Sequence, residues 1–199
     1  MKERFPLLLF AAYLMLFAVC AVHPYDRQTW ISENIPIVLI VGVLAVLYRK
    51  FRFSNTAYAL MAVLVFLHTI GGHYTFERVP FGFVTDLFGF ARNHYDRIAH
   101  FSVGFYAYAI AELSLRRRLV RSPWVLALFP VFAIFTVAAG YEIIEWWYAA
   151  SADPAAGAAF LGSQGDPWDA QKDMLADGLG AIAATGLFFW INRKDLREL

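Results

Sequence analysis

Six apolar stretches alternate with polar punctuation along the chain, at residues 5–22, 32–48, 56–72, 95–115, 123–148 and 173–191. A helix needs roughly 17 to 25 mostly apolar residues to cross hydrocarbon. The pattern therefore predicts an all-α polytopic membrane protein, with six transmembrane helices in one bundle forming a single domain over residues 1–199. The second stretch has the shortest clean apolar run, residues 35–48, and Pro36 fits its first turn, where no helical hydrogen-bond donor is lost. Gly71-Gly72 is expected to end the third helix. Ahead of the last stretch, Asp166, Pro167 and Asp169 read as the N-cap, first and third positions of a helix. A helix starting there places Asp169, Asp173 and Asp177 on one face. Ala176, Gly180 and Ala184 recur every four residues, a small-residue stripe that lets helices approach closely in lipid. Residues 79–90, with Phe81, Phe83, Phe88 and Phe90 among glycines, read as an interfacial or re-entrant lid.

Charge orients the spans. Twelve of the 17 Lys and Arg residues fall on one side: Lys2, Arg4, Arg49, Lys50, Arg52, Arg116, Arg117, Arg118, Arg121, Arg193, Lys194 and Arg197. Positive charge is retained in the cytoplasm, so the expectation is N-in and C-in. Tyr25, Trp30, Tyr48, Phe51, Trp124, Trp146, Trp147, Tyr148 and Trp190 fall at span ends, where amphipathic rings anchor at headgroup level. Lys2 and Arg4 ahead of an apolar stretch also resemble a signal peptide, but the run exceeds the usual signal core of about 7 to 15 residues. An uncleaved first span is the expectation.

Composition agrees with a membrane solvent. Of 199 residues, 60% are hydrophobic and 17% charged, against about 45 to 50% and about 25% in soluble domains. The mean hydropathy is +0.51, and the formal net charge of +1 lacks the basic excess that a nucleic-acid partner requires. The single cysteine, Cys20, reads as a small buried side chain.

Acids gather on the opposite side from the basic residues. Twelve of 16 lie at or beyond the outer ends: Asp26, Glu33, Glu77, Asp86, Asp96, Glu142, Glu145, Asp153, Asp166, Asp169, Asp173 and Asp177. His100 sits about one turn below the outer surface, Asp177 one turn below Asp173, and Glu142 about 28 Å along the fifth span from Pro123. Asp96 with His100, Glu142 with Glu145, and Asp173 with Asp177 each share a helix face through their spacing. Ionisable groups inside a span cost about 2.5 to 3.5 kcal/mol on insertion scales and normally turn inward to serve function. Mixed imidazole and carboxylate donors suit a divalent metal, zinc or manganese foremost. The expected ligands are His73, Asp96, His100, Glu142 and Asp177, with Glu145 or Asp173 as general base and Arg92 and Arg97 as contacts for an anionic headgroup. The competing expectation is a hydrated interfacial network in which these acids cap helices and pair with arginines.

Three segments carry a family resemblance: Tyr95-Asp96-Arg97-Ile98-Ala99-His100-Phe101, Tyr141-Glu142-Ile143-Ile144-Glu145-Trp146, and Asp173-Met174-Leu175-Ala176-Asp177-Gly178-Leu179-Gly180-Ala181. With them, and with Gly72-His73-Tyr74 and Gly165-Asp166-Pro167-Trp168-Asp169, the chain resembles the YjdF-like family of bacterial inner-membrane proteins over most of its length. More distantly, its last three spans resemble VanZ-like membrane proteins, with Arg97 where that pattern has Lys and Asp177 where it commonly has Asn. The resemblance implies a multi-pass inner-membrane protein. It implies no reaction.

The residues thus lead to a metal-dependent hydrolase or transferase acting on a lipid or lipid-linked headgroup in the bilayer. A carrier for a divalent cation or a proton is the alternative. It is weakened by an inner half whose only acid, Glu112, is expected to pair with nearby arginines. A non-catalytic partner subunit or headgroup sensor is the third reading. No phosphate loop, His-Glu-x-x-His helix or Gly-x-Ser-x-Gly elbow is present.

Overall fold

The computed structural model describes residues 4–151 and 163–198, apart from the side chains of residues 148, 163, 197 and 198. Lys2, Asp153 and the side chains of Tyr148 and Arg197, which enter the expectations above, lie outside the described residues. Among the described residues the regular structure is all helical: α1 (Phe5–Cys20), α2 (Arg27–Tyr48), α3 (Asn55–His73), α4 (Gly82–Phe88), α5 (Tyr95–Val103), α6 (Tyr106–Arg116), α7 (Pro123–Ser151) and α8 (Asp169–Ile191). Five helices are long and apolar enough to cross a membrane: α2, α3, α5 with α6, α7 and α8. The sixth apolar helix, α1, has 16 residues. The contacts form two compact units, Met1–Ala99 and His100–Leu199, with the boundary inside α5.

In the first unit, α1 and α2 both pack on α3. Tyr13, Ile37 and Val65 form its core, with Phe17, Ile40, Val41 and Phe66 against them, and Cys20 is buried as expected. Local chemistry fixes the starts. Asp26 caps α2 by accepting from the Thr29 amide at 2.7 Å, a bond that also holds its exposed carboxyl below the usual carboxylate range. Ser54 caps α3 through the Ala57 amide at 3.2 Å.

Because α2 begins at the Asp26 cap, Pro36 lies inside the helix rather than in its first turn. Likewise, Gly71-Gly72 does not end α3. Both glycines are buried within it, where the Phe76 ring covers Gly71 and Glu33 and Asn34 press on Gly72. The chain reverses instead at Thr75 and Phe76, with φ of 55° and 54°, so packing against the helix face overrides the usual glycine stop. Phe51 is 8% exposed and packs on Phe53 at 4.8 Å, so it belongs to the core rather than to the anchoring rings. Tyr25, Trp124, Trp146, Trp147 and Trp190 are exposed.

The second unit packs α6, α7 and α8 against one another. The buried face of α8 runs through Asp169, Asp173, Asp177, Gly180, Ala181, Ala184 and Phe188. Gly180 and Ala184 of the expected small-residue stripe lie on this face, and Ala176 stands off it, half-buried. The fourth stretch is interrupted between α5 and α6 at Gly104-Phe105. A Cβ on Gly104 would meet the backbone of Asp177, Gly180 and Ala181, and one on Gly180 would meet the Phe101 carbonyl. Here two backbones touch, and only glycine fits. Glu112 is 5% exposed and pairs with Arg116, as expected from the sequence.

The two glycines on α8 make a matched test. Gly180→Ala should destabilise the detergent-solubilised protein by about 1 to 3 kcal/mol through overpacking. Gly186→Ala, where nothing lies within 4 Å, should be neutral or stabilising by up to about 1 kcal/mol through helix propensity. Equal melting temperatures for the two variants would show that the backbone contact does not hold the unit.

Candidate functional site

The acidic face of α8 meets an imidazole. His100, one turn before Gly104, reaches Asp177 Oδ1 through Nδ1 at 3.2 Å and Asp173 Oδ1 through Nε2 at 3.5 Å. The side chains are 20%, 3% and 7% exposed for His100, Asp177 and Asp173. One ring therefore bridges carboxylates on successive turns of α8, which project from the same face. Asp96 stands one turn earlier on α5. Glu142 on α7 lies within electrostatic reach of Asp173, His100, Asp177 and Asp169.

This geometry suits a divalent cation. Around a tetrahedral ion with bonds of about 2.1 Å, ligand atoms stand about 3.4 Å apart, close to the 3.5 Å between His100 Nε2 and Asp173 Oδ1. Asp177 then occupies the place of the carboxylate that accepts from the distal N–H of a metal-bound imidazole and fixes its tautomer. The same arrangement could hold a proton shared between the imidazole and a carboxylate.

The other expected residues fall as follows. Asp169 is 6% exposed on the acidic face. Asp166 lies just outside α8, where it accepts from the Trp168 amide at 3.1 Å and pairs with Lys172 at 2.7 Å, while the helix itself starts at Asp169. Glu145 is half-buried on α7. Arg97 lies 3.6 Å from Asp96, and Arg92 buries its Nε and Nη2 atoms. His73, in the first unit, donates through Nδ1 to the Cys20 carbonyl, 2.8 Å away. Asn93 holds the carbonyls of Glu77 and Val79 at 3.0 and 2.8 Å and caps Tyr95 at 2.9 Å. Its amide thus ties the start of the segment 79–90 to the start of α5. Within that segment α4 exposes Phe83, Leu87 and Phe88.

A second ionisable pair escaped the sequence reading. His68 Nε2 on α3 stands 3.1 Å from both the carboxylate and the backbone carbonyl of Glu33 on α2, beneath the Phe76 ring at 5.0 Å. Next to it Asn34 is 3% exposed, and its Oδ1 has no hydrogen-bond partner. The only available signal was the Asp26 cap, which draws Glu33 and Asn34 into the second turn of α2.

A family of predicted membrane proteins, DUF2238, matches residues 5–194. The chain belongs to this family. It is similar to the inner membrane protein YjdF of Escherichia coli strain K12, 34% identical over 198 residues that cover 97% of this chain and 94% of that protein. No solved structure matches the chain.

The His100 bridge predicts strong coupling within the cluster. His100→Ala should destabilise the protein by about 3 kcal/mol, because it strands buried acids, and adding Asp177→Asn should recover part of the loss. Strictly additive effects of the two changes on denaturant unfolding would rule the bridge out.

Proposed function

We propose that the chain crosses the bacterial inner membrane six times with both termini in the cytoplasm, and that it holds a divalent cation near the outer ends of α5 and α8. The uneven distribution of Lys and Arg supports the orientation, and the relative named as an inner membrane protein supports the location. As the first span, α1 is about 24 Å long, which a bilayer accommodates by local thinning.

The observation that carries the metal reading is His100, whose two ring nitrogens face different acids of α8. In this reading Asp96, His100 and Asp173 hold zinc or manganese, and Asp177 orients the imidazole. Glu142 and His73 are further candidate ligands. With Asp173 holding the ion, Glu145 would serve as the general base that takes a proton from water. Arg97 and Arg92 neutralise an anionic headgroup. The reaction is hydrolysis or group transfer at a lipid or lipid-linked headgroup, and the VanZ-like resemblance adds no chemistry to it.

Elemental analysis tests this reading first. Protein purified in detergent and loaded with zinc or manganese should carry close to one ion per chain, and His100→Ala and Asp173→Asn should each lose at least about nine-tenths of it. Wild-type protein that retains neither metal overturns the proposal.

A proton-coupled carrier is the second reading, favoured by the Glu33–His68 pair inside α2 and α3, since ionisable groups within spans mark proton relays. In liposomes with an internal pH-sensitive dye, wild-type protein should then dissipate a proton gradient and Glu33→Gln should abolish the flux. Equal rates in empty and loaded liposomes dismiss it.

A further inference from the structure

The first unit holds a half-enclosed apolar groove of about 240 Å³ between α1, α2 and α3, lined among others by Leu7, Phe10, Ala45, Tyr48, Met61 and Ala62. Along α2 it runs from Val41 to Tyr48, a length of about 10 Å. Its walls offer almost no polar partner, so whatever enters is hydrocarbon. Two of the three helices around it, α2 and α3, are of membrane length, and an apolar groove there takes up hydrocarbon from the bilayer rather than water.

Charge marks one end of the groove. Arg4 precedes α1, whose first turns line it, and Arg49 and Lys50 follow Tyr48 directly. Arg52 adds a fourth cation, with its guanidinium 5.0 Å over the Tyr48 ring. All four side chains are exposed, and the connecting segment Arg49-Lys50-Phe51-Arg52-Phe53-Ser54 contains no acid. The rim thus complements a phosphate, which guanidinium and ammonium groups bind by charge-assisted hydrogen bonds.

We propose that this groove binds an anionic glycerophospholipid, one acyl chain lying between α1, α2 and α3 and the headgroup phosphate held by Arg4, Arg49 and Lys50. The groove selects the hydrocarbon, and the rim selects the charge. The site is separate from the His100 cluster and does not depend on whether that cluster holds a metal.

Native mass spectrometry of the detergent-solubilised protein provides the test, with phosphatidylglycerol and phosphatidylethanolamine of identical acyl chains as probes. The wild type should retain phosphatidylglycerol at least about fivefold better, as one basic contact at a membrane surface provides. Ala45→Trp, at an exposed groove position, should reduce retention of both lipids without changing the melting temperature. The pair Arg49→Gln and Lys50→Gln should keep retention of phosphatidylethanolamine and erase the preference. Equal retention of the two lipids by the wild type overturns the proposal, as does undiminished binding of phosphatidylglycerol by Ala45→Trp.

Discussion

Backbone contact at Gly104 and Gly180 is the constraint on which the second unit depends. Lipid supplies no hydrophobic force between helices, so association rests on close packing and on polar contacts. At this crossing the Phe101 carbonyl lies where a Gly180 side chain would be, and the α8 backbone lies where a Gly104 side chain would be. His100 is one turn before Gly104, and Asp177 is three residues before Gly180. The glycine contact therefore sets how far the imidazole stands from the two acids. A bulkier residue at either glycine would separate the chains and strand the acids without their partner.

The acids in turn explain why the crossing carries histidine. Asp169, Asp173 and Asp177 occupy the face of α8 that also carries the small residues, so the helix cannot pack closely without burying charge. An isolated buried carboxylate is costly, and it persists only when paired or bound to a cation. His100 supplies pairing to two of the three.

The first unit solves a different problem. Its helices α1 and α2 meet α3 through aliphatic and aromatic side chains, and a buried ionisable pair sits at one end. There His68 meets Glu33, and Asn34 retains an unmatched acceptor. At the other end a groove stays open beside a run of cations. Phe76 closes over Gly71 and His68, and this packing explains why the chain turns at Thr75 and Phe76 rather than at the glycine pair.

By itself the sequence determined the apolar solvent and the helical class, because hydropathy acts residue by residue along the chain. Spans 95–115 and 173–191 were legible for that reason, and so were the pairing of Glu112 and the shared face of Asp169, Asp173 and Asp177. Helix ends were less legible: Pro36 entered α2 and Gly71-Gly72 stayed within α3, since caps and tertiary packing compete with local propensity. Only the tertiary structure decided which nitrogen of His100 faces which acid and that Glu33 meets His68. Those contacts join residues 35 to 77 positions apart. Their distances are set by how two helix backbones cross, and no periodicity along one helix encodes a crossing.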